Sequence, residues 1–426
     1  MDPRRRTLLK SGTLLGMGVA GWLPALPASA SVLPAGGGPE DSRYWSAVAG
    51  LYDITRDVVM LENGYWGSMA RPVLAAYQAA TAQANRDNAW YGRRLFPQAY
   101  EQARAQLAQF LGVGVDEIML TRGATEALQV LIGGYHRLRP GDAVLYADVD
   151  YDSMITAMRW LQQRRGVEVI GLDLPEPFTH QSLLDAYARA FERHPRLRMI
   201  LLTQVSHRHG LQLPVAEIAQ MARARGIDVI LDAAHGIGQI DCSLPALGVD
   251  FAGINLHKWI GAPVGLGAFY IRRGRVDAIE PYMGEPGKDD DIRTRIHTGT
   301  TNFAAIAALP AALELHERIG SARKQARLQH LRNRWLRAAQ AMPALQVLAS
   351  VDDPRLASAI ASFRLRGKTA LADNIALSRH LLDSARVFTV PRDGLASGAC
   401  VRVTPSLFTS ESDIDLLIDA LATLHG

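Results

Sequence analysis

The chain is poor in cysteine: its 426 residues hold only Cys242 and Cys400. Two isolated cysteines cannot build the disulfide framework of a small secreted scaffold. Neither sits in a metal-type cluster, so both read as buried, unpaired thiols. Long apolar runs are missing as well, and beyond the first 30 residues no stretch is apolar enough to span a membrane. Charge of one sign is scarce. Residues 1–30 carry Arg4, Arg5, Arg6 and Lys10 against Asp2, which is +3 of the chain's +4 and leaves +1 for the rest. A nucleic-acid footprint needs clustered basic charge and is not supported. No internal repeat is visible. Hydrophobic residues make up 48% without strong local bias, which fits a globular protein with a large core.

What is present first is a leader. Arg4-Arg5-Arg6-Thr7-Leu8-Leu9-Lys10 precedes a weakly apolar run from Ser11 to Leu26, and Ala28-Ser29-Ala30 follows as a small-residue cleavage site. The twin arginine resembles the twin-arginine (Tat) type. An ordinary Sec leader or a membrane anchor is the plainer alternative. The apolar run is short for a span and is interrupted by Gly12, Gly16, Gly18 and Gly21. The expectation is export by the Tat translocase to the periplasm, with no membrane contact afterwards.

Four segments are expected: a Tat signal peptide at 1–30, a linker and N-terminal segment at 31–56, a large domain at 57–310 and a small α+β domain at 311–426. Residues 31–40 (SVLPAGGGPE) read as flexible. Strands are predicted at 117–121, 143–147, 167–172, 199–204, 228–232, 250–254 and 266–272. Helices are predicted at 97–111, 123–138, 153–165, 180–193 and 215–225, with one long helix from about 311 to about 340. Nearly continuous apolar strands between amphipathic helices make an α/β fold with a mainly parallel sheet.

Ligands of such sheets bind beyond the carboxyl ends of the strands, where several chemically loaded residues fall. Gly123-Ala124-Thr125 could offer backbone N–H groups, a hydroxyl and a helix N-terminus to a phosphate, although most such starts only cap helices. No lysine follows at the Walker spacing. Asp232 ends an apolar strand and could pair with a pyridinium nitrogen; a cap or a surface turn is the plainer role. His257-Lys258 follows another strand and precedes a glycine-rich turn. A lysine at the mouth of a site can form an imine with an aldehyde, although a lone His-Lys pair is usually solvated surface. Asp232 and Lys258 lie 26 residues apart, about one strand–connection–strand unit.

These residues fall within ordered motifs: LENGYWG (61–67), TRGATEAL (121–128), VSHRHGLQLP (205–214), LDAAHG (231–236), NLHKW (255–259) and GTTN (299–302). Together they resemble the class V aminotransferase-like enzymes of pyridoxal-phosphate (PLP) fold type I, and within them the isopenicillin N epimerase-like branch. The resemblance covers roughly 57–426 and implies a seven-stranded, mainly parallel sheet with a smaller α+β domain. It implies that Lys258 is the Schiff-base lysine and proton shuttle and that Asp232 pairs with the pyridine nitrogen. Tyr151 would stack on the ring, and Gly123, Ala124 and Thr125 would bind the phosphate with help from His257. His235 would sit near the ring hydroxyl, and Ser206 and His207 on the loop approaching it. Thr300 or Thr301 would reach the phosphate of the neighbouring subunit in a homodimer. Arg402 would grip a substrate carboxylate, a structural ion pair being its plainer role. Asn63 would line the entrance.

Desulfurases in the family use a cysteine on a long loop before the arginine strand. Here that interval, PRDGLASGACV (391–401), is short, and Cys400 falls two residues before Arg402. Desulfurase activity is therefore not expected. The implied chemistry acts on the α-amine of an amino-acid or peptide substrate. The leader combined with this core resembles the exported PLP enzymes that tailor the side-chain glutamate of pyoverdine siderophores, which implies a peptidyl glutamate converted to a succinamide-type group. Epimerisation, C–S lysis and plain transamination remain open, as does a non-catalytic PLP- or phosphate-ligand-binding protein.

Overall fold

The computed structural model describes residues 33–288 and 290–424. The expected signal peptide lies outside them. After α1 (Ser42–Ala49) a short strand, β1 (Val59–Met60), leads into α2 (Arg71–Trp90) and α3 (Phe96–Leu111). The expected linker is tied down at its end: the Trp45 indole donates to Gly38 O at 2.8 Å and Arg327 to Pro39 O at 2.8 Å.

The main sheet is built from β2 (Ile118–Thr121), β3 (Ala143–Ala147), β4 (Glu168–Leu172), β5 (Leu197–Thr203), β6 (Asp228–Asp232), β7 (Phe251–Asn255) and β8 (Gly267–Ile271). Its order is β2-β8-β7-β6-β5-β3-β4. Only β8 runs antiparallel to its neighbours; the other pairings are parallel. Helices α4 (Ala124–Gly134), α5 (Asp152–Arg165), α6 (His180–Arg193), α7 (Val215–Arg223) and α8 (Leu244–Leu247) alternate with these strands.

The sheet forms because its strands are apolar on both sides. In β5, Ile200 and Leu202 join one core and Met199 and Leu201 the other, and all four are fully buried. Each such side chain contributes roughly 1.5–3 kcal/mol by leaving water. The α4 helix can lie close on β7 because position 253 is glycine: a Cβ there would fall 2.5 Å from Leu128 Cγ. That contact sets where the first turn of α4 meets the end of β2.

Beyond the sheet come α9 (Phe303–Ile319) and α10 (Ser321–Gln340). The single long helix predicted from about 311 is therefore two helices. The first starts earlier, capped by Asn302 Oδ1 accepting from Ala305 N at 3.0 Å, and the chain breaks at Gly320 with φ +89°. The helix predicted to reach Leu138 ends at Gly134. A second, antiparallel sheet follows, formed from β9 (Leu345–Val347), β10 (Ala361–Leu365), β12 (Val390–Arg392) and β13 (Cys400–Val403) in the order β12-β13-β10-β9. It packs with α11 (Leu371–Ala385) and α12 (Glu411–Ala422) around Trp335, Phe363 and Val401. The remaining strand, β11 (Val387–Phe388), pairs in parallel with β1.

Candidate active site

A cavity of about 980 Å³ opens at the carboxyl ends of the parallel strands. Gly123, Ala124, Thr125, Tyr151, His207, Asp232, His235, His257, Lys258 and Arg402 all line it. The topology explains the convergence: Asp232 ends β6, Lys258 follows β7 by three residues, and Tyr151 caps the start of α5 just after β3.

Lys258 is at the centre. Its Nζ stands 2.9 Å from His235 Nε2. Burial lowers its pKa to about 8, with Asp232 opposing that shift and Arg402 assisting it. About a tenth of the amine is therefore neutral at pH 7, far more than at the ordinary lysine value. The backbone around it is gripped. Gly67 N donates to His257 O at 2.8 Å. A Cβ at position 67 would collide with the Lys258 carbonyl oxygen, so only glycine fits the approach.

Asp232 Oδ1 accepts from Ala234 N at 2.9 Å, and Oδ2 has no hydrogen-bond partner among the described residues. Burial raises the carboxyl, while the Ala234 amide and the Lys258 charge hold it down. A cationic ring nitrogen beside it would favour the carboxylate further. Tyr151 is 40% exposed and meets His207 edge-on, with ring centroids 5.2 Å apart. Its ring is thus available to a flat ligand.

At the phosphate end the donors are fewer than the motif suggests. Ala124 N donates to Asn255 Oδ1 at 2.7 Å, and Gly123 N to Thr121 Oγ1 at 3.3 Å. The donors that remain are those of Thr125 and the rest of the first turn of α4, an 11-residue helix. His257 pairs Nδ1 with Leu266 O at 2.9 Å. Its Nε2 can then donate only from the imidazolium form. Burial lowers its pKa, and a bound dianion would raise it again.

Two expected residues, Ser206 and Asn63, stand off the cavity wall, and Thr300 and Thr301 were expected at a neighbouring subunit's phosphate. Ser206 is fully buried and off the cavity wall, its Oγ accepting from Arg208 N at 3.2 Å. Asn63 lies away from the mouth. Its Nδ2 donates to Thr404 O at 2.8 Å, joining the N-terminal segment to the chain after β13, and it borders a small cleft behind Lys258. Thr300 is exposed and Thr301 half-buried, and neither lines the cavity of its own chain.

Three residues were not singled out from sequence. Glu62 accepts from Arg402 Nη2 at 2.5 Å, in a pair whose side chains are only 7% and 1% exposed. Arg402 Nη1 also donates to His207 O at 2.6 Å. Arg392 lines the same wall and lies 3.7 Å from the same Glu62 oxygen. Two guanidiniums thus share one carboxylate. The third residue is Trp259, whose Nε1 donates to His235 Nδ1 at 3.3 Å. Glu62 lies inside LENGYWG, where the neighbouring asparagine drew the reading. The pairing of 62 with 402 leaves no local trace.

The amine, the uncommitted carboxylate oxygen, the free ring face and the open helix end fit one ligand, a phosphorylated pyridine aldehyde. Fold and site together define a PLP-dependent enzyme of fold type I. The chain belongs to the aminotransferase class-V family, whose model matches residues 70–388. It is 28% identical over 403 residues to the isopenicillin N epimerase of Streptomyces clavuligerus, covering 90% of this chain and 98% of that one. It is 27% identical over 285 residues to a probable cysteine desulfurase of Xylella fastidiosa, covering 64% and 67%. Among solved structures it resembles a cystine C–S lyase bound to cysteine persulfide, with TM-score 0.75, 22% identity and coverage of 87% and 99%. It also resembles a cysteine desulfurase of Thermococcus onnurineus, with TM-score 0.75, 19% identity and coverage of 88% and 96%.

Proposed function

We propose that this enzyme acts in the periplasm on the free α-amine of a peptide-linked glutamyl group, in the maturation of a siderophore of the pyoverdine kind. Its product would be a succinamide-type side chain, formed with dioxygen as oxidant: the Cα–carboxylate bond breaks to release carbon dioxide, one oxygen atom becomes the amide oxygen and the other leaves as water. The observation that carries the reading is the wall opposite Lys258. Among the described residues Arg392 and Arg402 share one carboxylate, Glu62, which leaves one surplus positive charge facing the cavity. A carboxylate on the substrate complements that charge. The cavity is large enough for PLP and a tethered substrate together. The leader supports export, and the exposed Thr300 supports a homodimer with shared sites.

PLP supplies an electron sink for the bonds at the substrate's α-carbon. The chain supplies the rest. Lys258 would hold the cofactor through its amine and serve as the proton carrier at the substrate's Cα. Asp232 would pair with the ring nitrogen, Tyr151 would cover one ring face, and the first turn of α4 with His257 would anchor the phosphate. The guanidinium wall would orient the substrate carboxylate.

Epimerisation is the second reading, supported by the near full-length match to an epimerase. Desulfuration is less favoured. Cys400 is fully buried in β13, and burial pushes its thiol up to about 11. A buried neutral thiol is a poor nucleophile. Mass spectrometry of products from the PLP-loaded protein decides between these readings. Loss of the substrate's α-carboxyl carbon from a γ-linked glutamyl peptide is expected. An intact carbon skeleton that gains about one mass unit at Cα in heavy water would mean epimerisation, and a peptide recovered without loss of carbon or uptake of deuterium would sink both.

A further inference from the structure

His235 and Trp259 lie 24 residues apart in sequence and meet behind Lys258. His235 is 4% exposed and Trp259 5%, so water serves neither ring well. An indole N–H can only donate, and a neutral imidazole carries a single proton. Because Trp259 Nε1 donates to His235 Nδ1, the imidazole proton must sit on Nε2. The opposite tautomer would set two N–H groups against each other. Burial, and then the charge of Lys258, keep the ring neutral.

We propose that Trp259 is a positioning residue, whose indole N–H locks His235 in the Nε2–H tautomer and so gives the active site a fixed hydrogen-bond donor beside Lys258 Nζ.

Two consequences follow from the 2.9 Å contact between His235 Nε2 and Lys258 Nζ. A neutral amine can accept that N–H, whereas an ammonium has no lone pair to accept with. The lock therefore favours the reactive amine, alongside burial. The other charges facing Lys258 partly cancel: Asp232 and Glu62 favour the ammonium, Arg402 and Arg392 oppose it. His207 also faces His235, but burial holds it neutral. Secondly, the lock is rigid. Lys324, buried on α10, donates its Nζ to Trp259 O, so the tryptophan is held at its backbone and at its indole nitrogen.

The inference rests on Lys258 being the reactive amine, but its test does not depend on the substrate or the reaction. The full chain, freed of PLP, is reductively methylated across the neutral to alkaline range, and the Lys258 peptide is quantified by mass spectrometry. The unaltered protein should show a midpoint near the amine's pKa of about 8. Trp259 is then replaced by its benzothienyl analogue, which puts sulfur in place of the N–H and keeps the ring shape. The midpoint should rise by about one unit, a roughly tenfold loss of free amine near neutrality. His235→Gln carries its own fixed amide donor and has no tautomer to lock. In that background the analogue should shift nothing. Lys324, a second buried amine, serves as an internal control and should not move. An unchanged Lys258 midpoint in the analogue protein, or an equal shift in the His235→Gln background, overturns the proposal. Trp259→Phe gives a second version of the same comparison by ordinary mutagenesis.

Discussion

At the scale of single residues, the arginine wall decides most. Arg402 is 1% exposed, and its charge is met by Glu62 inside the same wall. Taking one partner from a buried pair leaves the other charge uncompensated, which typically costs about 3–5 kcal/mol. Glu62→Ala should therefore lower the free energy of unfolding by that order, and the urea midpoint with it. Added formate or acetate should restore part of the loss by standing in for the missing carboxylate. If the substitution leaves the unfolding curve unmoved, the wall does not depend on Glu62, and the surplus charge assigned to the cavity is wrong. The same pair marks the limit of reading a site from sequence. Lys258 and Asp232 were legible because Asp232 ends one apolar strand and Lys258 follows another by three residues, and strand ends are where such sheets bind ligands. Glu62 was not, since a carboxylate in a loop declares nothing about an arginine 340 residues later. Trp259 stood in NLHKW beside the reactive lysine with no role legible from its position. Only the ring geometry shows it holding His235.

At the scale of elements, the first turn of α4 carries the clearest expectation. Asn255, the last residue of β7, accepts the Ala124 N–H and so ties the strand's end to the helix's start. Asn255→Ala should cost about 1–3 kcal/mol, the usual penalty for orphaning a buried donor. It should also hasten PLP release, followed by the loss of visible absorbance on dilution. Destabilisation without faster release would separate that hydrogen bond from phosphate anchoring. Element boundaries were read well where polarity changes abruptly. The strands Ala143–Ala147 and Asp228–Asp232 have the predicted ends because turns or charged residues bound an apolar run. The reading failed at α9. Pro310 sits inside that helix, where a proline normally argues for a boundary. Gly320 then broke what looked like one continuous amphipathic run. The helix α2 was not predicted at all, its buried face being only Val73 and Ala80.

For the molecule as a whole, one buried cation links pH to stability. Lys324 is 6% exposed, with no carboxylate beside it, and burial lowers its pKa from 10.5 to about 7. Between those values the unfolded chain binds a proton that the folded chain does not. Stability through this group therefore falls as pH drops from about 10.5 to about 7, and it levels off below. In Lys324→Met that dependence disappears, so the difference in stability between neutral and alkaline solution should narrow. Denaturant melts at the two pH values measure it, and an unchanged difference would mean the amine stays charged in the fold. The substitution also removes the donor to Trp259 O, which is why the comparison rests on the pH dependence and not on absolute stability.

The pairing of Val59 and Met60 with Val387 and Phe388 carries a consequence in time. A ribosome adds about 5–20 residues per second, so β1 waits roughly 16–65 s before its partner has been made. Until then β1 has no β11 edge to join, so this pairing closes only once β11 has been made, while the strands of the main sheet, all encoded between the two, are already available to pair.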